Sequence, residues 1–367
     1  MQLEKIGSQQ FFVMALLYTV GNAILLIPHP VIKFAKQDAW ISSLFALLFG
    51  LFLVYIYLKI YSFFPGYTYT QILEHTFGLF FGKLLAIFTL VSFHLLLLIV
   101  IIRGFADFIV AHLLNETPVR AIIVLLFITM AYAVKQGMEV IARTAQILVP
   151  IAIFFFLFSM IFLLKEGSIE NFLPVTVNGW IPIVRGAIPN LGFPFMDVFV
   201  LVILFNYVTP REKLGKSLYL GVFIGGMMVV IAIFYSIFVL GVEYSATKIY
   251  IPYVLGAQIK IGDFIQRVEV IIASIWIIST FIKICIILLT LVIGTKHVFR
   301  TKGYRIFVLP TALLAISLLD VFIADRSYWD IVEKIWPFYA SIFTVIIPIV
   351  VLLINGVKKV INGKEST

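Results

Sequence analysis

The chain alternates between long apolar runs and short polar stretches. Most runs hold about 20 residues, the length that an α-helix needs to cross a hydrocarbon core of about 30 Å. Continuous runs are typical of membrane helices, whereas strands of a membrane barrel alternate over short segments. The pattern predicts an all-α membrane domain with about ten spans, at Phe11–Ile32, Ile41–Phe64, Leu84–Val110, Val119–Val134, Val140–Leu164, Pro189–Tyr207, Ser217–Gly241, Val268–Ile293, Ile306–Ile323 and Pro337–Ile354.

The spans fall into two halves, at about 9–164 and 189–356, within a single transmembrane domain. More Lys and Arg residues lie on the side that holds both termini, which predicts that the termini are cytoplasmic. The first span lacks a small-residue cleavage site and is expected to be a retained helix rather than a signal peptide. This orientation places four tryptophans at the outer interface: Trp40, Trp180, Trp329 and Trp336.

Two outer connections are long. Lys165–Ile188 contains several proline and glycine residues and is expected to be irregular. Val242–Arg267 mixes apolar and charged residues, which suits a short helix over the extracellular mouth. Such a helix is either a lid for a solute pathway or a plain connector.

Composition supports the membrane interpretation and excludes several functions. Hydrophobic residues make up 62% of the chain and charged residues 12%, whereas a soluble domain carries about a quarter charged residues. The net charge of +9 comes from basic residues near helix ends, which indicates topology and lipid headgroups rather than nucleic acid. The single cysteine, Cys285, allows no internal disulfide. No phosphate-binding loop or Cys/His cluster is present, so no catalytic residue, metal site or cofactor is predicted and the chain is not expected to be an enzyme.

The first and sixth spans carry helix-breaking residues near corresponding positions. Gly21 and Asn22 precede Pro28 in the first span, and Gly192 and Pro194 interrupt the sixth. Such paired breaks point to a midplane binding site, because unwound backbone and helix ends can meet an anionic group such as a carboxylate. Simple proline kinks are the alternative. The predicted binding residues are Gly21, Asn22, Ala23, Ile24, Phe193, Phe195, Met196 and Asp197. Trp276 is also included, and it either lines the pocket or faces lipid.

Asp197, Arg103, Asp107 and Lys283 are ionisable residues inside predicted spans, where a charge costs roughly 2.5–3.5 kcal/mol on insertion scales. Asp197 follows the sixth-helix break and would receive an ammonium group, take part in proton coupling or pair with a basic neighbour. Arg103 and Asp107 are one helical turn apart, which favours a neutralising ion pair. Lys283 either supplies a cation where a transporter would otherwise hold sodium, or snorkels or pairs with a carbonyl.

Several short motifs together resemble a known family. They are Gly21-Asn-Ala-Ile through Pro28, Glu116-Thr-Pro, Gly137-Met-Glu-Val-Ile-Ala-Arg, Phe193-Pro-Phe-Met-Asp and Phe264-Ile-Gln-Arg-Val-Glu with Trp276-Ile-Ile before Thr280. In this order they resemble the B subunit of bacterial endospore germinant receptors, within the amino acid–polyamine–organocation transporter superfamily. Asn22 and Pro194 depart from the small residues and the glycine that many relatives have there, so the germinant's identity does not carry over.

The resemblance implies a five-plus-five inverted repeat of the LeuT type with broken first and sixth helices. It further implies a germinant pocket between those helices and assembly with A and C subunits in the spore inner membrane. The resulting expectation is a sensor for a small germinant such as an amino acid. The alternatives are a proton- or sodium-coupled amino acid permease and a structural subunit of an ion-release channel.

Overall fold

The computed structural model describes residues 4–259, 269–322 and 328–364. The first half is built from helices joined by short turns. Its helices are α1 (Ser8–Val20), α2 (Ala23–Leu26), α3 (Pro28–Ala35), α4 (Ala39–Phe63), α5 (Tyr69–Phe77), α6 (Leu79–Thr89), α7 (Leu96–His112), α8 (Val119–Gln136) and α9 (Met138–Leu163). A π-helical turn at Leu90–Leu95 joins α6 to α7, so these two form one long span.

The second half is also helical. Its helices are α10 (Trp180–Asn190), α11 (Leu214–Leu240), α12 (Val242–Ala246), α13 (Ile251–Gly256), α14 (Glu269–Phe299), α15 (Val308–Phe322), α16 (Tyr328–Ser341) and α17 (Ile347–Lys364). The sixth span continues beyond α10 through Leu191–Phe195 and Met196–Tyr207. A π-helical turn at Ile342–Ile346 joins α16 to α17.

The number of spans agrees with the sequence prediction. Within the described ranges, nine helical segments are long and apolar enough to cross a membrane, and Arg305–Leu319 is a shorter apolar helix. These ten segments correspond one to one with the predicted spans. The chain is therefore an all-α integral membrane protein.

Two predicted boundaries on the side expected to be extracellular are wrong. The stretch Lys165–Ile188 is not irregular throughout, because α10 begins at Trp180. Pro182 lies in the first turn of α10, where a missing backbone N–H breaks no helical hydrogen bond. The tenth span starts at Tyr328 rather than Pro337, and Trp336 is consequently buried at 3% exposure instead of lying at the interface.

Both predicted helix breaks are present. Gly21 ends α1 with φ +24° and ψ −130°, a conformation that a residue with a Cβ rarely adopts. In the sixth span the backbone of Phe193 is extended, with φ −127° and ψ 121°, between two helical stretches.

The broken helices lie in the centre of the bundle. The first, sixth and eighth spans are the most deeply buried of the described spans, and α1 packs against α9, α11 and α14. The outer surface carries exposed apolar side chains such as Phe80, Leu125 and Ile128. In a membrane protein these side chains face lipid acyl chains.

The predicted outer helix over the mouth takes the form of two short helices, α12 and α13. The loop between them is held against α3, because Nδ1 of His29 lies 2.8 Å from the carbonyl oxygen of Lys248. The remaining charged positions of that connection, Lys260, Asp263 and Arg267, lie outside the described residues.

The segment before α1 is tied to the rest of the bundle. A two-residue strand β1 (Ile6–Gly7) pairs in parallel with β2 (Val208–Thr209), which follows the sixth span. The Glu4 carboxylate accepts hydrogen bonds from the Met138 backbone N–H (3.0 Å) and the Tyr304 hydroxyl (2.9 Å), and pairs with Arg305 (2.9 Å). Burial, with the Glu4 charge beside it, raises the pKa of Tyr304, so this hydroxyl stays protonated as a donor.

Candidate binding site between the broken helices

A buried ion pair lies where the first, sixth and eighth spans meet. Nζ of Lys283 is 2.8 Å from Oδ2 of Asp197 and donates a second hydrogen bond of 2.8 Å to Oδ1 of Asn22. Both charged side chains have 0% exposure. The ammonium also lies 4.9 Å from the ring centroid of Tyr18, within range of a cation–π interaction.

The break at Gly21 creates the space for this lysine. A Cβ on Gly21 would lie 2.5 Å from Cδ of Lys283 and 2.9 Å from the carbonyl oxygen of Tyr18. Oγ of Ser279, one turn before Lys283 on α14, lies 3.3 Å from the carbonyl oxygen of Gly21 and 2.8 Å from that of Ile275, which is the closer acceptor for its one proton. The absence of a Cβ at Gly21 therefore leaves room for the aliphatic part of the Lys283 side chain.

A cavity of about 100 Å³ lies against Asn22 and the extended residue Phe193. Its walls come from the second half of the first span, the start of the sixth, α16 and the loop between α12 and α13. The lining residues are Asn22, Leu26, Ile27, His29, Pro30, Pro189, Phe193, Ile249, Val332, Glu333 and Pro337. The cavity is mostly apolar with a few polar groups, which is the usual character of a small-molecule site.

An aromatic stack forms one wall beside this cavity. The Phe193 ring stacks on Trp336 with centroids 5.2 Å apart and planes 12° apart, and Trp336 stacks in turn on Phe93 at 5.8 Å. Residues from the sixth, tenth and third spans are thereby packed face to face. A change in the backbone at Phe193 must displace this stack.

The structure brings some of the predicted site residues together and separates others. Gly21, Asn22, Asp197 and Lys283 meet at the ion pair, and Asn22 and Phe193 also line the cavity. Ala23 and Met196, the residues next to these groups in the chain, are buried at 0% and 7% exposure.

The other predicted residues face elsewhere. Ile24 and Trp276 line a separate cavity of about 20 Å³, where Trp276 stacks on Phe105 with centroids 5.1 Å apart. Phe195 fills the space above Gly50 of α4 and Gly226 of α11, and a Cβ on either glycine would collide with its ring.

Arg103 and Asp107 form the predicted ion pair on α7. Nε of Arg103 lies 2.9 Å from Oδ1 of Asp107, and both side chains are mostly buried. The Tyr328 hydroxyl donates a hydrogen bond of 3.3 Å to Oδ2 of Asp107, so the pair also connects α7 to α16.

Four residues near the site are not among the predicted site residues: Tyr18, His29, Glu333 and Trp336. Glu333 and Trp336 precede the predicted start of the tenth span at Pro337. A helical pattern that continued back to Tyr328 would have placed them on the same helix as Pro337. Within the described ranges no group of three or more His, Cys, Asp or Glu residues could hold a metal ion.

The fold resembles that of a solved transporter. Mhp1, a nucleobase-cation-symport-1 family transporter in a closed conformation with bromovinylhydantoin bound, matches with a TM-score of 0.64 at 13% identity. The match covers 86% of this chain and 72% of that chain. Mhp1 has the LeuT fold, and the likeness supports the inverted-repeat arrangement with broken first and sixth helices.

The sequence relatives are spore germination proteins. Spore germination protein KB of Bacillus subtilis (strain 168) is 26% identical over 366 residues, covering 98% of this chain and 96% of the relative. Spore germination protein XB of Bacillus anthracis is 25% identical, covering 87% of this chain and 88% of the relative. The model of the spore germination protein family matches residues 5–327. The chain therefore belongs to the spore germination protein family, and it is a permease-like integral membrane protein.

Proposed function

We propose that this chain is the B subunit of a germinant receptor in the spore inner membrane, with both termini in the cytoplasm. It binds a small germinant, an amino acid, between its broken first and sixth helices. Binding shifts the two halves and passes the change to A and C subunits. The family match and the transporter fold support this proposal.

The observation that carries the proposal is the position of the cavity of about 100 Å³. It touches Asn22 beside the first break and Phe193 at the second, and the same Asn22 side chain accepts a hydrogen bond from the ammonium of Lys283. A ligand that fills the cavity contacts both interrupted helices at once. Differential contact of this kind is what a ligand needs in order to shift a conformational equilibrium.

A coupled amino acid permease is the second candidate, and the fold likeness to the transporter Mhp1 favours it. A receptor and a permease would share the same cavity. They differ in whether the solute crosses the membrane and in whether partner subunits are needed for the response.

The test compares spores with purified protein. Spores that lack this chain are complemented with the unaltered gene or with Ile249→Trp, which adds volume to an apolar residue in the cavity wall. Ile169→Trp, at an exposed position of the outer connection, is the matched control. The proposal expects Ile249→Trp to raise the amino acid concentration required for ion release, while Ile169→Trp does not.

Two results decide against the proposal. Ion release that is unchanged by Ile249→Trp, in protein shown to be present, would move the germinant site elsewhere. Concentrative amino acid uptake by the chain alone in proteoliposomes, without A and C subunits, would favour the permease.

A further inference from the structure

A second cavity, of about 270 Å³, lies at the C-terminal end of α14. It is on the same side of the bundle as Glu4, which pairs with Arg305 just beyond α14. Each of its lining side chains carries a polar group, which distinguishes it from the mostly apolar cavity beside the helix breaks. The lining residues are Thr68, Thr70, Gln71 and Glu74 at the start of α5 and Lys296, His297, Arg300 and Thr301 at the end of α14.

The charges around this second cavity favour an anion. Oε2 of Glu74 lies 3.2 Å from Nη2 of Arg300, and this ion pair joins the two walls. Among the described residues no acidic side chain pairs with the other basic residue of the cavity, Lys296. Lys296 and Arg300 are four residues apart, and like charges at this spacing repel one another. With two basic residues and one acidic residue in its lining, the cavity keeps one uncompensated positive charge.

The chain turns sharply at the end of α14, beside the cavity. The backbone N–H of Thr301 donates a hydrogen bond of 3.1 Å to the carbonyl oxygen of Lys296, and that of Arg300 donates one of 3.3 Å to His297. Arg300 has φ +52°, a conformation that is common for glycine at a helix end and uncommon for a residue with a Cβ. Its mostly exposed ion pair with Glu74 contributes little by itself. A ligand for the Arg300 side chain would account for an arginine at this position.

Hydrogen-bond donors come from both α5 and α14. Oε1 of Gln71 accepts hydrogen bonds from the backbone N–H (2.9 Å) and the hydroxyl (3.0 Å) of Thr68, so the remaining polar atom of its amide, Nε2, is a donor. In the described hydrogen bonds Arg300 contacts Glu74 through Nη2, and the rest of its guanidinium retains further N–H donors. Ammonium and guanidinium groups form strong charge-assisted hydrogen bonds with phosphate oxygens. The cavity therefore suits an anion with several acceptor oxygens, such as a phosphate.

The surroundings of the cavity favour a phospholipid as the source of this phosphate. Phe299, which directly precedes Arg300, is exposed. Phe80 and Phe81, at the start of the helix that follows α5, are exposed as well. In a membrane protein such apolar side chains at helix ends lie against lipid. Basic pockets at this depth are typical binding sites for lipid headgroups.

We propose that this cavity binds the phosphate of an anionic phospholipid, and that Lys296 gives the preference for a headgroup with a net negative charge. The acyl chains lie against Phe299 and the start of α6. Nε2 of His297, in the same cavity, lies 3.2 Å from the hydroxyl of Tyr207, the last residue of the sixth span. The headgroup thereby contacts the end of the span whose break is at Phe193. This lipid site is separate from the proposed germinant cavity and does not depend on the proposed function.

The experiment titrates lipids onto the purified full-length chain and counts the bound molecules by native mass spectrometry. The probes are dioleoylphosphatidylglycerol, which has a net negative headgroup, and dioleoylphosphatidylcholine, which has the same phosphate and acyl chains but a zwitterionic headgroup. Inorganic phosphate in excess is the competitor that distinguishes a lipid from a free anion. The variants are Lys296→Gln, Lys296→Arg and Glu74→Gln. Lys216→Gln, at an exposed lysine of α11, is the matched control.

The unaltered chain should bind phosphatidylglycerol more tightly than phosphatidylcholine. Lys296→Gln should weaken phosphatidylglycerol binding about fivefold, the effect of one basic residue beside an anionic lipid, and should change phosphatidylcholine binding by less than about twofold. Lys296→Arg should keep the preference, because the guanidinium carries the same charge. Glu74→Gln should strengthen phosphatidylglycerol binding, because it removes the carboxylate that competes with the phosphate for Arg300. Lys216→Gln should change neither affinity.

Equal binding of the two lipids by the unaltered chain would overturn the proposal. A loss in Lys216→Gln as large as that in Lys296→Gln would do the same, because it would show a response to net charge alone. Displacement of phosphatidylglycerol by inorganic phosphate would identify a free anion as the ligand and overturn the lipid assignment. The unfolding temperature of each variant separates loss of the site from loss of the fold. If Lys296→Gln does not fold, Glu74→Gln decides, since weaker phosphatidylglycerol binding in that variant contradicts the proposal.

Discussion

The ammonium of Lys283 lies 2.8 Å from the carboxylate of Asp197, and neither side chain is exposed. The two residues come from the eighth and sixth spans. Each alone would be an uncompensated charge in the centre of the bundle, so the packing of these spans depends on both being present.

Removing either partner of this pair should therefore destabilise the protein strongly. We expect Lys283→Met or Asp197→Asn to lower the free energy of unfolding by about 3–5 kcal/mol, because the survivor is left buried and unpaired. The double variant Lys283→Met/Asp197→Asn should recover part of the loss. Denaturant unfolding in detergent measures each difference. Additive losses in the double variant would contradict the coupling.

The control for that experiment is the ion pair of Arg143 and Glu139 on α9. Its atoms are 2.6 Å apart, but its side chains are 68% and 52% exposed. Arg143→Met should change stability by less than about 0.5 kcal/mol, since solvent screens an exposed helical pair.

Replacement of Gly21 by alanine should be costly for two reasons. The residue has a positive φ, and the new Cβ would overlap Cδ of Lys283 at 2.5 Å. Gly78→Ala isolates the first cause, because Gly78 has φ +87° and no neighbouring atom within 4 Å of the added carbon. We expect about 1–3 kcal/mol for Gly78→Ala and a larger loss for Gly21→Ala, both measured as membrane abundance and unfolding free energy. Equal losses would show that Lys283 moves aside without cost.

The pair of Arg103 and Asp107 should behave as a structural unit. Either single replacement by alanine should reduce membrane abundance, and the double replacement should recover part of it. Tyr328→Phe removes the 3.3 Å hydrogen bond to Asp107 and should cost about 0.5–1.5 kcal/mol. Normal abundance with a lost germinant response in the single variants would instead assign the pair a functional role.

Glu4 should control how tightly the segment before α1 is held. Glu4→Gln keeps the size but removes the charge that pairs with Arg305. We expect faster hydrogen exchange of the Met138 amide, which donates to the Glu4 carboxylate. Glu74→Gln, which removes a different ion pair at 3.2 Å from Arg300, is the control and should leave Met138 unchanged. Unaltered exchange in Glu4→Gln would mean that β1 alone holds the segment.

The orientation of the chain can be tested with introduced cysteines. Cys285 is buried, at 1% exposure, and is replaced by serine to remove any background. Asn178→Cys should then react with an impermeant maleimide applied outside sealed cells, and Lys213→Cys should react only after permeabilisation. Both positions are exposed in the structure. Equal labelling in sealed cells would contradict cytoplasmic termini.

The spans could be predicted from the sequence because bilayer thickness fixes the length of an apolar run. The two wrong boundaries, where the structure begins a helix at Trp180 and at Tyr328, both lie at helix ends on the side expected to be extracellular. There α10 has Pro182 in its first turn, and α16 carries Glu333 and Lys334. A helix end that borders a cavity or the interface need not be apolar, so hydropathy places its boundary too late.

The helix breaks could also be predicted, since Gly21 and Pro194 act on the backbone locally. The contacts that complete the site could not. Lys283 is 86 residues from Asp197 and 261 residues from Asn22, and only the packing of three helices selects these partners. The same packing directs Trp276 towards Phe105 and Phe195 towards Gly50, away from the cavity.

The positive charge that balances Asp197 belongs to the polypeptide itself, and this affects how the fold responds to the ions dissolved around it. The occupancy of a dissolved counter-ion beside Asp197 would change with the composition of the medium, and the stability of the fold would change with it. The ammonium of Lys283 is attached by covalent bonds, so its local concentration is the same at low and at high salt concentration. The charge balance at the centre of the bundle therefore does not depend on the ions dissolved around the protein.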